Sequence, residues 1–259
     1  MKTEPQVQLS LKSVSKAFAD YEGRHTVVED FSLEVLNQEF LSIFGPNGCG
    51  KSTLVHLIAG IIEPDAGSIE FASGQAGRTV GIVFQNYEKS LLPWRTCVDN
   101  ISLPLEANGD LSKRQRREAA VSLLAELGLR LPLTHYPYQM SGGQKQLTCI
   151  ARAIIHRPSI LLLDEPFASL DYQTRIDMQE KLQAIWAKAK ITTIFVSHEI
   201  DEAIFLADRL LLLTVRPARV AESFDIPLSR PRGFQSLASS PFVDLRAKIL
   251  QLFRSEISQ

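Results

Sequence analysis

Apolar and polar residues alternate loosely over residues 6–14, with Val7, Leu9, Leu11 and Val14 assigned to one side of a half-buried strand. Residues 31–35 and Phe40–Phe44 read as two further strands. The second runs straight into Gly45-Pro46-Asn47-Gly48-Cys49-Gly50, and there the period changes. Leu54, Ile58, Ile61 and Ile62 repeat at helical spacing, which predicts a helix over about 52–61. Residues 79–84 form another short apolar strand. Residues 98–156 are mostly helical, with 113–118 as a solvated, charged helix face. Residues 160–163 are a continuous apolar run, as in a strand covered on both faces, and 192–196 and 210–214 are similar. Helices at about 173–188 and 201–207 separate them. Strands alternating with helices predict an α/β fold with a mostly parallel sheet.

Beyond Thr214 the chain is marked by Arg and Pro: Arg216-Pro217, Arg219, then Arg230-Pro231-Arg232. Ser240-Pro241 is a helix start, with Ser as cap and Pro in the first position. Phe242, Leu245, Ile249, Leu252 and Phe253 form an apolar stripe, expected to dock on its own domain rather than on a partner. This tail is too short for a second domain with its own core.

The 259 residues suffice for one large α/β domain or two small ones. Lys plus Arg number 28 against 29 Asp plus Glu, so no global basic field exists to drive nucleic-acid binding. The three cysteines (Cys49, Cys97, Cys149) form no CxxC pair, which argues against a disulfide framework or zinc site and for a reducing cytosol. The opening residues hold no apolar core of signal-peptide length. No apolar run approaches the roughly 20 residues of a membrane helix.

Gly45 to Ser52 fits G-x-x-x-x-G-K-[ST], a match expected by chance on the order of once per hundred chains of this length. Here it lies between a predicted strand and a predicted helix, the context that the chemistry requires. Glycines let the backbone turn tightly so that successive N–H groups converge on phosphate oxygens. The helix N-terminus adds partial positive charge, Lys51 reaches the terminal phosphates, and the Ser52 hydroxyl is a magnesium ligand beside phosphates and water. Cys49, next to that helix N-terminus and Lys51, is expected either as a reactive thiolate or as an inert thiol packed under the loop.

The strand 160–163 ends in Asp164-Glu165. Adjacent strand residues point to opposite faces, so the two carboxylates take different roles. Asp164 would hold magnesium through its water shell, and Glu165 would accept a proton from attacking water. Ser141-Gly142-Gly143-Gln144 opens a further helix with Ser141 as cap, either a plain capping turn or a second anion-binding N-terminus.

With these motifs the chain resembles the ATP-binding subunit of an ABC transporter over nearly its whole length. The resemblance makes Gly45 to Thr53 the Walker A loop, Asp164 and Glu165 the Walker B pair, and Ser141 to Gln144 the signature motif. Gln85 matches the Q-loop glutamine and implies a γ-phosphate sensor and magnesium ligand. Asp171, in Ser169-Leu170-Asp171, matches the D-loop. His198 matches the switch histidine, and Phe18 the aromatic that stacks on adenine, with Tyr21 as a weaker substitute. Three positions depart from the family: Gln38 stands for Gly before Glu39, Leu147 for a common Arg, and Met140 for Leu before Ser141.

The implied fold is a P-loop NTPase of ABC type: a mostly parallel central sheet, an N-terminal antiparallel β region and an inserted helical subdomain. The expected organisation is one ATP-binding domain over 1–259. The Q-loop and helical signature insert falls at about 86–157, and a C-terminal extension and helix at about 216–259. ATP and magnesium are the implied cofactors. The implied partners are a second cassette, a membrane permease docking between Gln85 and Thr96, and a substrate-binding protein. The implied location is the cytoplasmic face of the bacterial inner membrane.

Ser90 to Thr96, Glu199 to Ala203 and Arg230-Pro231-Arg232 are similar to the nitrate, sulfonate and taurine importers. Leu91, Leu92 and Trp94 suit an exposed docking cluster, with packing inside the helical subdomain as the equal alternative. A soluble ABC-type ATPase acting on nucleic acid or ribosomes is the other functional class. The interval from Lys51 to Ser141 has no room for a coiled-coil insert of the DNA-repair type, only one cassette is present, and the near-zero charge disfavours it.

Overall fold

The computed structural model of the chain describes residues 6–21, 23–72, 74, 79–107 and 109–257. In chain order the elements begin with β1 (Val7–Asp20), β2 (Gly23–Leu36), β3 (Phe40–Phe44), α1 (Lys51–Ala59), β4 (Ala66–Phe71) and β5 (Val80–Val83). Helices α2 (Tyr87–Ser90), α3 (Cys97–Ile101), α4 (Lys113–Leu127) and α5 (Gly142–Ile154) follow. Then come β6 (Ile160–Asp164), α6 (Tyr172–Ala189), β7 (Thr192–Ser197), α7 (Ile200–Leu206), β8 (Arg209–Leu213), β9 (Val220–Asp225) and α8 (Ser240–Ile257). Contacts divide the chain into two compact units, residues 1–78 with 192–259, and residues 79–191.

In the first unit, β1 pairs antiparallel with β2 on one side and β4 on the other. Leu9, Leu11 and Val14 are all buried although Val14 breaks the two-residue period. The register slips between Leu11 and Val14, and Ser13 there has a φ of 48°, so a bulge returns Val14 to the core face. Gly67 meets this bulge: a Cβ on it would stand 2.4 Å from the carbonyl oxygens of Lys12 and Ser13. Only glycine lets β4 come that close.

The same unit carries β3 flanked by β7 and β8, both parallel to it, with β9 antiparallel on β8. Every residue of β3 and β7 is buried, as in strands covered on both faces. Gln38, in the turn before β3, has a φ of 61°, the left-handed region that glycine favours. Glu39 beside it is buried and held by the Arg209 guanidinium at 2.6 Å and by the Leu36 amide at 2.7 Å. Helix α8 docks on its own unit through buried Phe242 and Ile249, and the Phe253 ring lies 4.9 Å from that of Phe44. Buried Arg232 donates to the carbonyls of Ile204, Phe205 and Ala207 and ties the Arg-Pro segment to the end of α7.

The second unit holds the parallel pair β5–β6 and the helices α2 to α6. Helix α4 starts in a capping box between Ser112 and Gln115, and its charged opening faces solvent, with Arg114 and Glu118 paired on the surface. The structural units thus combine parallel strands, an antiparallel region and a helical segment, the α/β class expected. Strands β4 and β9 were not anticipated; each buries a single residue, Phe71 and Phe224. Among the described residues no helix is long and apolar enough to cross a membrane.

Candidate functional site

The loop from β3 to α1 carries the first candidate residues. Gly48 has a φ of 76° and Gly50 of 120°, and a Cβ on Gly50 would meet the Val27 carbonyl oxygen at 3.0 Å. The first helical bond of α1 runs from the Leu54 amide to the Gly50 carbonyl at 3.0 Å. The amides of Lys51, Ser52 and Thr53 lie ahead of that ladder, at the end where a helix receives an anion. Asn47 and Gly48 are exposed at the loop tip, and Pro46, Ser52 and Thr53 are half-buried.

Lys51 is only 5% exposed, and its ammonium donates to the carbonyl oxygens of Gly45 and Pro46, each at 2.9 Å. Among the described residues no carboxylate pairs with it. A buried cation held only by neutral carbonyls fits an incoming anion, so the loop suits a nucleotide's phosphates.

Cys49 is 2% exposed, and its sulfur packs beneath the loop, 3.2 Å from where a Cβ on Gly45 would stand. Burial raises its pKa despite the pull of Lys51. The packing thus favours the second expectation, an inert thiol under the loop, over a reactive thiolate.

Phe18, on β1 opposite His25 of β2, exposes a large part of its ring, with the Lys16 ammonium 5.8 Å from the ring centroid. Tyr21, in the adjoining turn, is fully exposed. His198 follows β7, with Nε2 3.8 Å from a carboxylate oxygen of Glu199. The turn beneath it is fixed by Ser197, whose hydroxyl donates to Glu202 at 2.7 Å and accepts from the Glu199 amide at 3.0 Å.

In the second unit, Asp164 is buried at the end of β6. Glu165 has a φ of 44°, an unusual conformation for a residue with a side chain. Gln85 donates its side-chain amide to Oε2 of Glu165 at 3.0 Å. Two of the expected catalytic residues are thus hydrogen-bonded to each other.

Ser141 caps α5 in a reciprocal box: its hydroxyl accepts from the Gln144 amide at 3.3 Å, and the Gln144 side chain accepts from the Ser141 amide at 3.0 Å. Asp171 caps α6, and the Thr174 amide on its carboxylate lowers its pKa. Ser141 to Gln144 and Asp171 line one open cavity of 510 Å³, together with Arg130 and Lys181. Sequence reasoning missed these two cations, which lie outside every motif.

The proposed docking cluster changes. Leu91 is 3% exposed and belongs to the core, Leu92 is half-buried, and Trp94 is 71% exposed. Buried Asn100 organises this loop, accepting from the Leu92 amide and donating to the carbonyls of Leu92, Arg95 and Thr96. Met140 and Leu147, the two departures beside the signature residues, are buried apolar packing.

A family model described as ABC transporter matches residues 28–168. The nitrate import ATP-binding protein of Synechococcus elongatus is 40% identical over 249 residues, 93% of this chain and 90% of that protein. The taurine import ATP-binding protein of Escherichia coli O157:H7 is 40% identical over 247 residues, 92% of this chain and 94% of that protein. A solved ATP-binding cassette, dimeric and in a post-hydrolysis state with ADP and Pi, matches with a TM-score of 0.72. It is 29% identical, over 87% of this chain and 100% of that one.

Proposed function

The chain belongs to the ABC transporter family, and from that premise we propose that it is the ATP-hydrolysing subunit of an importer for a small anion such as nitrate, a sulfonate or taurine. The observation that carries the nucleotide reading is the buried Lys51 ammonium, cradled by Gly45 and Pro46 with no carboxylate partner among the described residues. The import reading is supported by the nitrate and taurine import relatives, each matched over almost its whole length.

In this reading residues 45–53 hold the phosphates, and Phe18 stacks on the adenine. Ser52, Gln85 and Asp164 would hold magnesium, Asp164 through water, and the ion would supply charge neutralisation at the phosphates. Glu165 takes the proton of the attacking water, Gln85 orients Glu165, and His198 reads the γ-phosphate. Ser141 to Gln144 and Asp171 face the nucleotide of a second, identical or homologous cassette.

Residues 1–259 form one cassette, with the insert at about 86–157 and the extension from about 216. The permease docks between Gln85 and Thr96, with Trp94 as the exposed aromatic contact. The complex works with a substrate-binding protein at the cytoplasmic face of the inner membrane, the cassette being held there by its partners.

The test has two arms. Glu165→Gln should retain ATP binding and lower hydrolysis by at least about tenfold, roughly 1.4 kcal/mol of barrier. In vesicles holding the permease from the neighbouring reading frames, the loaded binding protein should stimulate ATP hydrolysis. Nitrate, taurine and an alkanesulfonate are compared. Stimulation by none of the three would reject the small-anion reading.

A further inference from the structure

Gln146 lies on α5, two residues beyond the signature glutamine Gln144, and is fully buried. Its side-chain nitrogen donates to the carbonyl oxygen of Pro166, the residue after Glu165. Its own carbonyl Oε1 is buried and has no partner among the described residues. An apolar side chain would fill the same space without leaving that oxygen unsatisfied. Packing therefore does not account for a glutamine here, and the bond to Pro166 does.

That bond falls at a sensitive point. Glu165 holds its left-handed φ of 44° only because its surroundings fix it. On one side the Ala168 amide donates to the Glu165 carbonyl at 3.3 Å. On the other, Gln85 holds the carboxylate. Gln146 fixes the next peptide from a different helix. The start of α5 also packs on α6, since a Cβ on Gly143 would meet Met178 at 3.5 Å and Thr174 at 3.6 Å.

We propose that Gln146 is a positioning residue that couples the two nucleotide sites of the dimer. It ties the helix whose N-terminus meets the partner's nucleotide to the backbone that aims Glu165 at its own. Engagement of Ser141 to Gly143 then moves α5 as a rigid element, and Gln146 hands that position to Pro166 and Glu165. The coupling rests on the composite-site reading given above.

The experiment compares wild type with Gln146→Met, which keeps length without a donor, and Gln146→Glu, which keeps shape as an acceptor. Each is assayed for ATP binding, melting temperature and ATP hydrolysis against ATP concentration. Both variants should lower kcat by at least about tenfold while the ATP dissociation constant changes less than about twofold. Wild type should show a sigmoidal ATP dependence, and both variants a hyperbolic one. A kcat within about twofold of wild type in Gln146→Met would overturn the proposal. So would a loss of ATP binding and melting temperature in step with kcat in both variants, which is the mark of a packing role, or a hyperbolic wild-type curve. Failure of the nucleotide reading gives a different result: Glu165→Gln would then leave turnover intact whatever Gln146 does.

Discussion

The side-chain amide of Gln85 donates to Oε2 of Glu165 across 3.0 Å, joining the second residue beyond β5 to the first beyond β6. Those two strands pair in parallel, Val83 opposite Leu163, so their ends present both side chains at the same edge. An amide donor on Oε2 restricts the Glu165 rotamer. A Gln85→Ala change should lower kcat by about tenfold with little change in ATP affinity. Steady-state ATPase kinetics with a direct binding titration separates the two. A raised KM at unchanged kcat would mean that Gln85 serves ground-state binding alone.

Gln38 offers a stability test away from the chemistry. Its φ of 61° is strained for a residue with a Cβ, while its amide donates to Thr192 at 2.8 Å, a bond that glycine keeps. Gln38→Gly should stabilise the fold by about 0.5–1 kcal/mol, the left-handed strain removed less the added chain entropy. The urea midpoint should rise at unchanged slope. A lower midpoint would show that the Gln38 side chain stabilises more than its backbone strain costs.

All three cysteines are buried, and burial raises each thiol's pKa. Maleimide at neutral pH should therefore label the native chain slowly, and Mg-ATP should make no difference to the rate. Denaturant should expose all three thiols. Fast labelling of Cys49 with protection by Mg-ATP would contradict its packing under the loop.

Asp99 on α3 is held by the Arg117 guanidinium of α4, with two contacts of 2.7 Å, and its pKa falls from 3.8 to about 2. A depressed carboxylate binds its proton later in the folded chain than in the unfolded one. Its contribution is therefore complete above about pH 4 and lost as pH falls toward 2. Acid unfolding of Arg117→Ala should begin at higher pH than that of wild type. Coincident acid transitions would mean that the pair adds nothing.

Much of the fold was legible because its strands are buried on both faces. Phe40–Phe44, Ile160–Asp164 and Thr192–Ser197 are dense apolar segments buried along their whole length, and no alternation had to be read. Ala66–Phe71 and Val220–Asp225 were not legible, since each buries one side chain and carries no two-residue signal. The phosphate-loop residues were read from local spacing, and the Ser141 to Gln144 helix start from its cap, with the signature role implied by resemblance alone. Gln146 was not, because a glutamine on a helix looks solvated until Pro166 arrives from another segment. Leu91 and Trp94, three residues apart, show the same limit: nothing local says that Leu91 turns into the core and Trp94 out of it.

The central claim is that each nucleotide is hydrolysed between Lys51 of one chain and Ser141 of the other. Lys51→Ala and Ser141→Arg should each abolish ATP hydrolysis when present in both subunits of a homodimer. Mixing the two variants forms dimers in which one site is doubly defective and the other has an intact Lys51 and an intact Ser141. Single-turnover hydrolysis by the mixture should recover partially, to a level that neither variant shows alone. No recovery in the face of demonstrated subunit exchange would contradict the composite site and place Ser141 on its own chain's nucleotide.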